Sequence, residues 1–253
     1  GAIPVKRVAV IGGTGLDQLS GLEISASHSI DTPYGTPSRA VEEGVLDGHP
    51  VYFLQRHGSP GAIPPHAVNY RANIWTLKSL GVTDIIAINA VGGISPGARP
   101  GSLVIPDQVI DYTWGREHTF DDGSSGEMLH IDFTEPYDRD LRMALLACVN
   151  ARDIAHIDSG VHGVTQGPRL ESAAEIQRMA RDGCDIVGMT GMPEASLARE
   201  ADLAYACVCM VVNAAAGLDD LPLSLAMMRE ILQREAVVVG DLLRALLASR
   251  YGD

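Results

Sequence analysis

Short apolar runs, separated by helix-like stretches, recur along the whole chain and restrict the folds that it can adopt. Most of these runs are nearly continuous rather than alternating, which is typical of strands whose two faces are both covered. We therefore predict a sheet with a layer packed on each side. The predicted strands are Val8–Ile11, Val51–Leu54, Ile85–Asn89, Leu103–Ile105, Val161–Thr165 and Ala204–Val212.

The stretches between these runs carry apolar residues at helical spacing. In the first of them, Ile74, Leu77 and Leu80 fall on one face, and Gly81 ends the pattern. Strands that alternate with helices indicate an α/β fold with a mostly parallel or mixed central sheet flanked by helices. No linker rich in Pro, Gly or Ser divides the chain, so residues 1–253 are predicted to form a single domain. The predicted helices are Asn69–Leu80, Arg139–Arg152, Ser172–Arg181, Glu194–Glu200 and Ser224–Ser249.

The chain carries a net charge of −13. A uniformly acidic protein repels nucleic acids and anionic membranes, so neither is an expected partner. An anionic substrate must then be captured by a few placed donors rather than by the overall field. No apolar run approaches transmembrane length and no signal peptide opens the sequence, so we expect a cytoplasmic protein.

The spacing of cysteines and histidines gives no indication of a metal site. Cys148, Cys184, Cys207 and Cys209 lie in apolar or helical contexts without CxxC spacing. Cys207 and Cys209 alternate within a strand-like run, which favours buried thiols over a disulfide or a zinc site. No Ser/His/Asp or Cys/His order indicates a covalent nucleophile. We therefore expect catalysis by positioning and electrostatics, without a metal.

Three turns carry groups suited to binding an anion. Thr14 lies in a glycine-rich turn directly after the first strand, where backbone amides and its hydroxyl can face an anion. Arg56-His57 follows the second strand, and a guanidinium can grip phosphate oxygens with its fork. Thr190 precedes Pro193-Glu194, which is predicted to open a helix. The alternatives are a glycine turn needed only for chain geometry and a surface Arg beside a structural His.

Further polar groups follow the ends of other strands. Asn89-Ala90 closes the most hydrophobic strand before two glycines, and Asn213 ends the last strand before a run of small side chains. Met189 offers a soft apolar surface for a sugar ring. Glu171 lies between a strand and a helix, where an ordinary helix-start acid is the alternative. Together with the three turns, these residues suggest a phosphate held next to a purine.

With these motifs in this order, the chain resembles the trimeric purine nucleoside phosphorylase superfamily, most closely its 5′-methylthioadenosine phosphorylase branch. The resemblance covers almost the whole chain and implies phosphorolysis with inorganic phosphate as co-substrate, a homotrimer, and no metal or organic cofactor. It also implies that Met189 packs on the ribose, and that His130, in the long polar loop 113–136, is lent to the neighbouring subunit's site. The residues implied to hold phosphate are Thr14, Arg56, His57, Asn89, Ala90 and Thr190. Besides Ile11–Asp17, Gln55–Gly58 and Gly188–Glu194, the shared segments are Thr32–Ser38, Val68–Trp75, Pro100–Gln108 and Gly167–Arg169.

One departure from this branch concerns the purine. The methylthioadenosine enzymes carry Asp-x-Asp where this chain reads Asn213-Ala214-Ala215, so both acids are absent. Adenine with a protonated N7 presents two donors, whereas a 6-oxopurine presents the O6 acceptor beside N7–H and so matches the one donor and one acceptor of an Asn amide. Glu171 resembles the base-recognising Glu of mammalian-type enzymes and accepts a hydrogen bond from N1–H of a 6-oxopurine. Each unpaired buried group costs about 1–3 kcal/mol, so the sequence predicts a 6-oxopurine base.

The predicted 5′ pocket is apolar. Enzymes that use ordinary inosine place a histidine near the 5′-hydroxyl, but no histidine follows His162 here. Leu223, Leu225 and Met228 lie in the corresponding stretch and would suit a 5′-methylthio group, worth about 0.8 kcal/mol per methylene. The alternative is that Leu223 and Leu225 are merely core-facing helix residues.

The predicted reaction is attack of phosphate on C1′ of a 5′-methylthio 6-oxopurine nucleoside. Arg56 and His57 would hold the nucleophile while Asn213 stabilises the departing purine. The alternatives within enzymes are an inosine/guanosine phosphorylase and a methylthioadenosine phosphorylase with unusual base contacts. A nucleoside-binding sensor on the same fold is the non-catalytic alternative. An NAD-binding domain is weakened by the missing GxGxxG context.

Overall fold

A computed structural model describes residues 5–220 and 224–252. The strands are β1 Val8–Gly12, β2 Glu23–His28, β3 Val41–Leu46, β4 His49–Gln55, β5 Asp84–Gly93, β6 Leu103–Val104, β7 Gln108–Asp111, β8 His156–Ile157, β9 Val161–Val164, β10 Ile186–Gly188 and β11 Ala204–Ala214. The α-helices are α1 Tyr70–Ser79, α2 Arg139–Ala151, α3 Ala173–Arg181, α4 Gly191–Glu200 and α5 Leu225–Arg250, and a 3-10 turn spans Pro65–Ala67.

The described strands form one mixed sheet. Its main path runs β2-β3-β4-β1-β5-β10-β9-β7, while β11 pairs with β5 and β6, and β8 pairs with β6. β1 is parallel to β4 and β5, and β5 is parallel to β11. The ends of β1, β4, β5 and β11 therefore meet at one edge, where α/β sheets bind their ligands. The predicted mixed α/β fold is confirmed.

Helices cover both faces of the sheet, which explains the continuous apolar runs. Along β1, Ala9 and Ile11 pack in one buried cluster, while Val8 and Val10 pack in another. The first cluster includes residues of α1 and α4, and the second includes residues of α2 and α5. Because successive side chains of a strand point to opposite faces, a strand between two such layers has no solvent-facing positions.

The helices begin at side chains that cap them. Asn69 accepts a hydrogen bond from the backbone N–H of Ala72 at 3.0 Å, and Ser172 forms a capping box with Glu175. Such caps satisfy backbone donors that the first helical turn leaves free. Ser224 caps the long helix α5 in the same way. The predicted starts of these three helices are therefore the capping residues themselves.

The sequence prediction was wrong about several strands and one helix start. The strand β3, which pairs with β2 and β4, was not predicted. The strands β2, β7, β8 and β10 were not predicted. α4 begins at Gly191, three residues before the predicted start, although Met192 and Pro193 depart from helical dihedral angles. Among the described helices, none is both long and apolar enough to span a bilayer.

A bulge near the end of β11 shapes the ligand edge. Val211 pairs with Val91 of β5, but the next pair is Asn213 with Gly92, so Val212 has no direct partner. A bulge of this kind bends the strand and re-aims the side chains that follow it. It turns the chain at Asn213, which the sequence predicts to read the base.

Candidate active site

A cavity of about 200 Å³ opens at the edge where β1, β4, β5 and β11 end. Its apolar lining outweighs its polar lining, as in most small-molecule sites. It is lined by Thr14, Arg56, His57, Pro65, Asn89, Ala90, Val91, Gly92, Leu170, Glu171, Val187, Gly188, Met189, Thr190, Val212, Asn213, Ala215, Ala216, Met228 and Leu232.

The structure brings most of the residues predicted from the sequence to this one cavity. All six residues implied to hold phosphate line it, as do Met189, Asn213, Ala215, Glu171 and Met228. They come from segments far apart in the chain that meet only because the parallel strands end together. Pro65, Leu170, Val187 and Leu232 also line the cavity and were not predicted. These are apolar side chains with no motif that distinguishes them from core residues.

Three of the described residues that were predicted do not line this cavity. Ala214 lines an adjoining cavity shared with Asn213 and Met228. Leu225 does not line either cavity: its side chain is 70% exposed at the first position of α5, so this subunit does not support its predicted contact with substrate. His130 is exposed and outside the cavity lining. Leu223 lies outside the described residues.

The glycine turn after β1 packs closely against the rest of the site. A Cβ added to Gly13 would lie 2.5 Å from the carbonyl oxygen of Ile88 and 2.8 Å from Nη1 of Arg56, so only glycine fits. Nε2 of Gln55 donates to the carbonyl oxygen of Leu16 at 2.8 Å. These contacts fix the backbone that carries Thr14 at the cavity wall.

Arg56 is fully buried and pairs with a residue that the sequence reading did not assign to the site. Its Nε and Nη2 donate to the two carboxylate oxygens of Glu194, each at 2.7 Å, and Nη1 donates to the carbonyl oxygen of Ile88 at 3.2 Å. The hydroxyl of Tyr205 donates to Glu194 at 2.8 Å. In the structure the fork of Arg56 therefore binds a carboxylate of the protein, and its contact with phosphate stays a prediction. Burial lowers the pKa of Arg56, but the Glu194 carboxylate more than compensates and raises it above its ordinary value.

His57 is a neutral hydrogen-bonding group at the cavity wall. Its Nδ1 lies 2.8 Å from the carbonyl oxygen of Ile63, which can only accept, so Nδ1 carries the proton. Burial and the nearby charge of Arg56 lower the pKa of His57 below its ordinary value. The ring is therefore neutral near pH 7, and Nε2 is an acceptor for a protonated oxygen of a ligand.

Glu171 and Asn213 carry the polar groups of the opposite part of the wall. Oε2 of Glu171 accepts from the hydroxyl of Thr165 at 2.7 Å, which orients its carboxylate. Nδ2 of Asn213 donates to the carbonyl oxygen of Ala214 at 2.9 Å, so one amide hydrogen and Oδ1 are left for a ligand. Thr165 was not predicted, because a hydroxyl at a strand end carries no distinctive signal.

Residues 7–248 match the Phosphorylase superfamily, and the chain belongs to that family. The chain is 53% identical over 225 residues to a probable S-methyl-5′-thioinosine phosphorylase of Pseudomonas syringae pv. tomato, covering 89% of this chain and 92% of that protein. It is 41% identical over 250 residues to a 6-oxopurine nucleoside phosphorylase of Pyrococcus furiosus, covering 97% and 92% respectively. It also resembles the structure of methylthioadenosine phosphorylase from Schistosoma mansoni in complex with adenine, with a TM-score of 0.92 at 32% identity and coverage of 98% and 93%. The predicted phosphorylase class and fold are confirmed.

Proposed function

We propose that the protein catalyses the phosphorolysis of S-methyl-5′-thioinosine, which yields hypoxanthine and 5-methylthioribose 1-phosphate. The observation that carries the proposal is the pair Asn213 and Glu171 on the wall of a cavity that also contains Thr14, His57 and Thr190. The pair matches a 6-oxopurine, and the other three suit an oxyanion. Relatives that are 52–53% identical bear the name of this activity.

The base preference follows from donors and acceptors. A carboxylate only accepts, so Glu171 pairs with N1–H of hypoxanthine but opposes the lone pair at N1 of adenine. The hydrogen bond from Thr165 occupies one face of that carboxylate and leaves the other for the base. Asn213 offers N–H to O6 and its oxygen to N7–H. Two mismatched groups at about 1–3 kcal/mol each disfavour adenine by roughly 30-fold or more.

The reaction itself needs no covalent intermediate. Phosphate oxygens approach C1′ as the glycosidic bond lengthens, and the charge of the phosphate stabilises the positive charge that builds on the sugar. Thr14, Thr190 and the amides of the glycine turn hold the nucleophile by hydrogen bonds. Asn213 stabilises the purine as electrons flow into it, and solvent supplies the proton to N7. Inorganic phosphate is the co-substrate, and the proposal includes no other cofactor.

The 5′ end of the nucleoside is assigned to the apolar part of the cavity. Met228 and Leu232, one turn apart on α5, line it together with Met189. Apolar contact favours a methylthio group over a hydroxyl, which would leave its water hydrogen bonds unmet. Phosphorolysis of inosine or guanosine is the second candidate, since relatives at 41–42% identity are named 6-oxopurine nucleoside phosphorylases.

The complete site is proposed to form in a homotrimer. The loop 113–136 exposes Trp114 at 71%, Met128 at 78% and Leu129 at 47%, and His130 follows directly. Apolar side chains of this size suit a subunit interface. In that arrangement His130 would reach the neighbouring subunit's nucleoside, as the family resemblance implies. The cytoplasmic location stays a prediction from the sequence.

The test is a panel of methylthioinosine, methylthioadenosine, inosine and guanosine, each assayed with and without phosphate for release of free base. The proposal expects phosphate-dependent release that is fastest from methylthioinosine. Faster turnover of inosine would establish the second candidate. Faster turnover of methylthioadenosine would refute the base argument, and release without phosphate would refute phosphorolysis.

A further inference from the structure

Behind the cavity, three side chains with metal-ligating atoms lie together in the core. They are His162 on β9 and Cys207 and Cys209 on β11, and their ligand atoms all lie within 4.8 Å of one another. The two cysteines are two residues apart on one strand, so their side chains share a face, and their sulfurs are 3.4 Å apart. All three residues are at most 1% exposed.

Two buried polar atoms beside these sulfurs have no hydrogen-bond partner among the described residues. They are Nε2 of His162 and Oδ1 of Asn89. The other amide atom of Asn89, Nδ2, lies 3.1 Å from the sulfur of Cys207. An unpaired buried acceptor is destabilising, and an ion or water is the usual explanation for such an atom in a native core.

The cysteines are chemically suited to a cation. Thiolate and imidazole are soft ligands that select zinc and related ions over magnesium or calcium. Two thiolates also balance a divalent charge, which avoids the cost of a net charge in the core.

We propose that Cys207, Cys209, His162 and Asn89 form a binding site for one zinc ion. The ligands are two thiolates, Nε2 of His162, and Oδ1 of Asn89 after a rotation of its amide. Zinc bonds to sulfur of about 2.3 Å in a tetrahedron separate two sulfurs by roughly 3.8 Å, close to the spacing seen here. Binding releases the two thiol protons to solvent and involves no redox change.

The surroundings of His162 support its role. The hydroxyl of Tyr137 lies 3.5 Å from Nδ1, where second-sphere partners of ligating histidines are found. A Cβ added to Gly188 would lie 2.7 Å from Nε2, so glycine at this position leaves room for the imidazole. The sequence contained no signal for this site, because its ligands come from three strands that lie far apart in the chain.

The experiment uses the whole protein, reduced and dialysed against chelator, and titrates it with Zn²⁺ and with Co²⁺ as a spectroscopic probe. We expect one equivalent to bind, with thiolate-to-cobalt charge-transfer absorption and tetrahedral ligand-field bands. Cys207→Ser, Cys209→Ser and His162→Asn should each lower the affinity by 10-fold or more. Cys148→Ser is the matched control, because that thiol is buried outside the cluster, and it should bind like the wild type.

Three results of this experiment would overturn the proposal. Bound cobalt without charge-transfer absorption places the ion on exposed carboxylates, away from the cysteines. Unchanged affinity in Cys207→Ser leads to the same conclusion, and no bound metal leaves water as the partner of the two unpaired atoms. The chemical shift of ¹¹³Cd bound to the wild-type protein shows whether two sulfur atoms are ligands. Because this measurement needs no variant, it remains valid even if a variant misfolds. Metal binding is measured without an assay of phosphorolysis, so its result does not depend on the proposed function.

Discussion

Replacing Glu194 by Gln tests how the buried Arg56 is held. The change keeps the shape of the side chain but removes the charge that opposes a guanidinium with no solvent exposure. Arg56 then loses one charge-assisted hydrogen bond, and burial is no longer balanced by a carboxylate. Removing one partner of a buried ion pair typically destabilises a protein by about 3–5 kcal/mol. For a chain of this length that corresponds to a fall in Tm of roughly 6–20 °C.

The assay has two parts, thermal unfolding followed by circular dichroism and steady-state kinetics with phosphate varied. We expect the KM for phosphate to rise more than the KM for the nucleoside, because Glu194 positions Arg56 and does not itself line the cavity. The matched control is Asp241→Asn, because the Asp241 carboxylate lies 3.6 Å from Nη1 of Arg244 and its side chain is 65% exposed. That change should cost at most about 1 kcal/mol. If Glu194→Gln is as stable as the control and binds phosphate normally, the reasoning about this pair is wrong.

Three further predictions concern the ligands and pH. Asn213→Asp should raise the kcat/KM for methylthioadenosine relative to that for methylthioinosine by roughly 5- to 150-fold, because a carboxylate accepts from the adenine amino group and repels O6. If the variant gains no activity on methylthioadenosine, the argument about base recognition is wrong. Arg229 lines a second cavity with Thr14 and His57 and should help attract phosphate. Arg229→Gln is expected to raise the KM for phosphate roughly 1.5- to 5-fold at low salt and less at high salt. The control Arg234→Gln, at an exposed position, should leave this KM unchanged. The pKa of His57 is lower in the folded protein than its unfolded value of about 6.5, so folding favours the neutral ring. The resulting stability is present above the unfolded pKa and is lost as pH falls through the folded pKa. Tm should therefore decline less steeply with acid in His57→Gln than in the wild type.

The fold was largely predictable because the sheet is covered on both faces. Strands such as β1 and β5 must then be apolar throughout, and the helices between them must show an apolar stripe. The strands that were missed lack this pattern. β2 is mostly exposed and mixes polar with apolar residues, and β10 has only three residues. Such strands form because a neighbour offers hydrogen bonds, which is a property of the tertiary structure and not of the local sequence.

The parts of the site that depend on a local backbone turn could be predicted from the sequence. The parts that depend on pairs of residues far apart in the chain could not. A glycine turn after a strand, or an Asn before small residues, can be recognised from a few neighbouring letters. The pairing of Arg56 with Glu194 joins residues 138 positions apart, and Glu194 reads locally as an ordinary helix-start acid. The sequence therefore did not indicate that a carboxylate of the protein binds the fork of Arg56. The cluster of His162 with Cys207 and Cys209 was missed for the same reason.

The charge balance of the cavity connects these findings to catalysis. Arg56 is neutralised by Glu194, His57 is neutral near pH 7, and the chain as a whole carries −13. We therefore expect Thr14, Thr190 and backbone amides to supply the hydrogen bonds to phosphate, while Arg56 stays paired with Glu194. A phosphate that keeps its negative charge interacts more strongly with the cation developing at C1′ than a neutralised one does. We therefore expect this arrangement to bind phosphate more weakly and to stabilise the transition state more strongly than one with an unpaired cation at the phosphate.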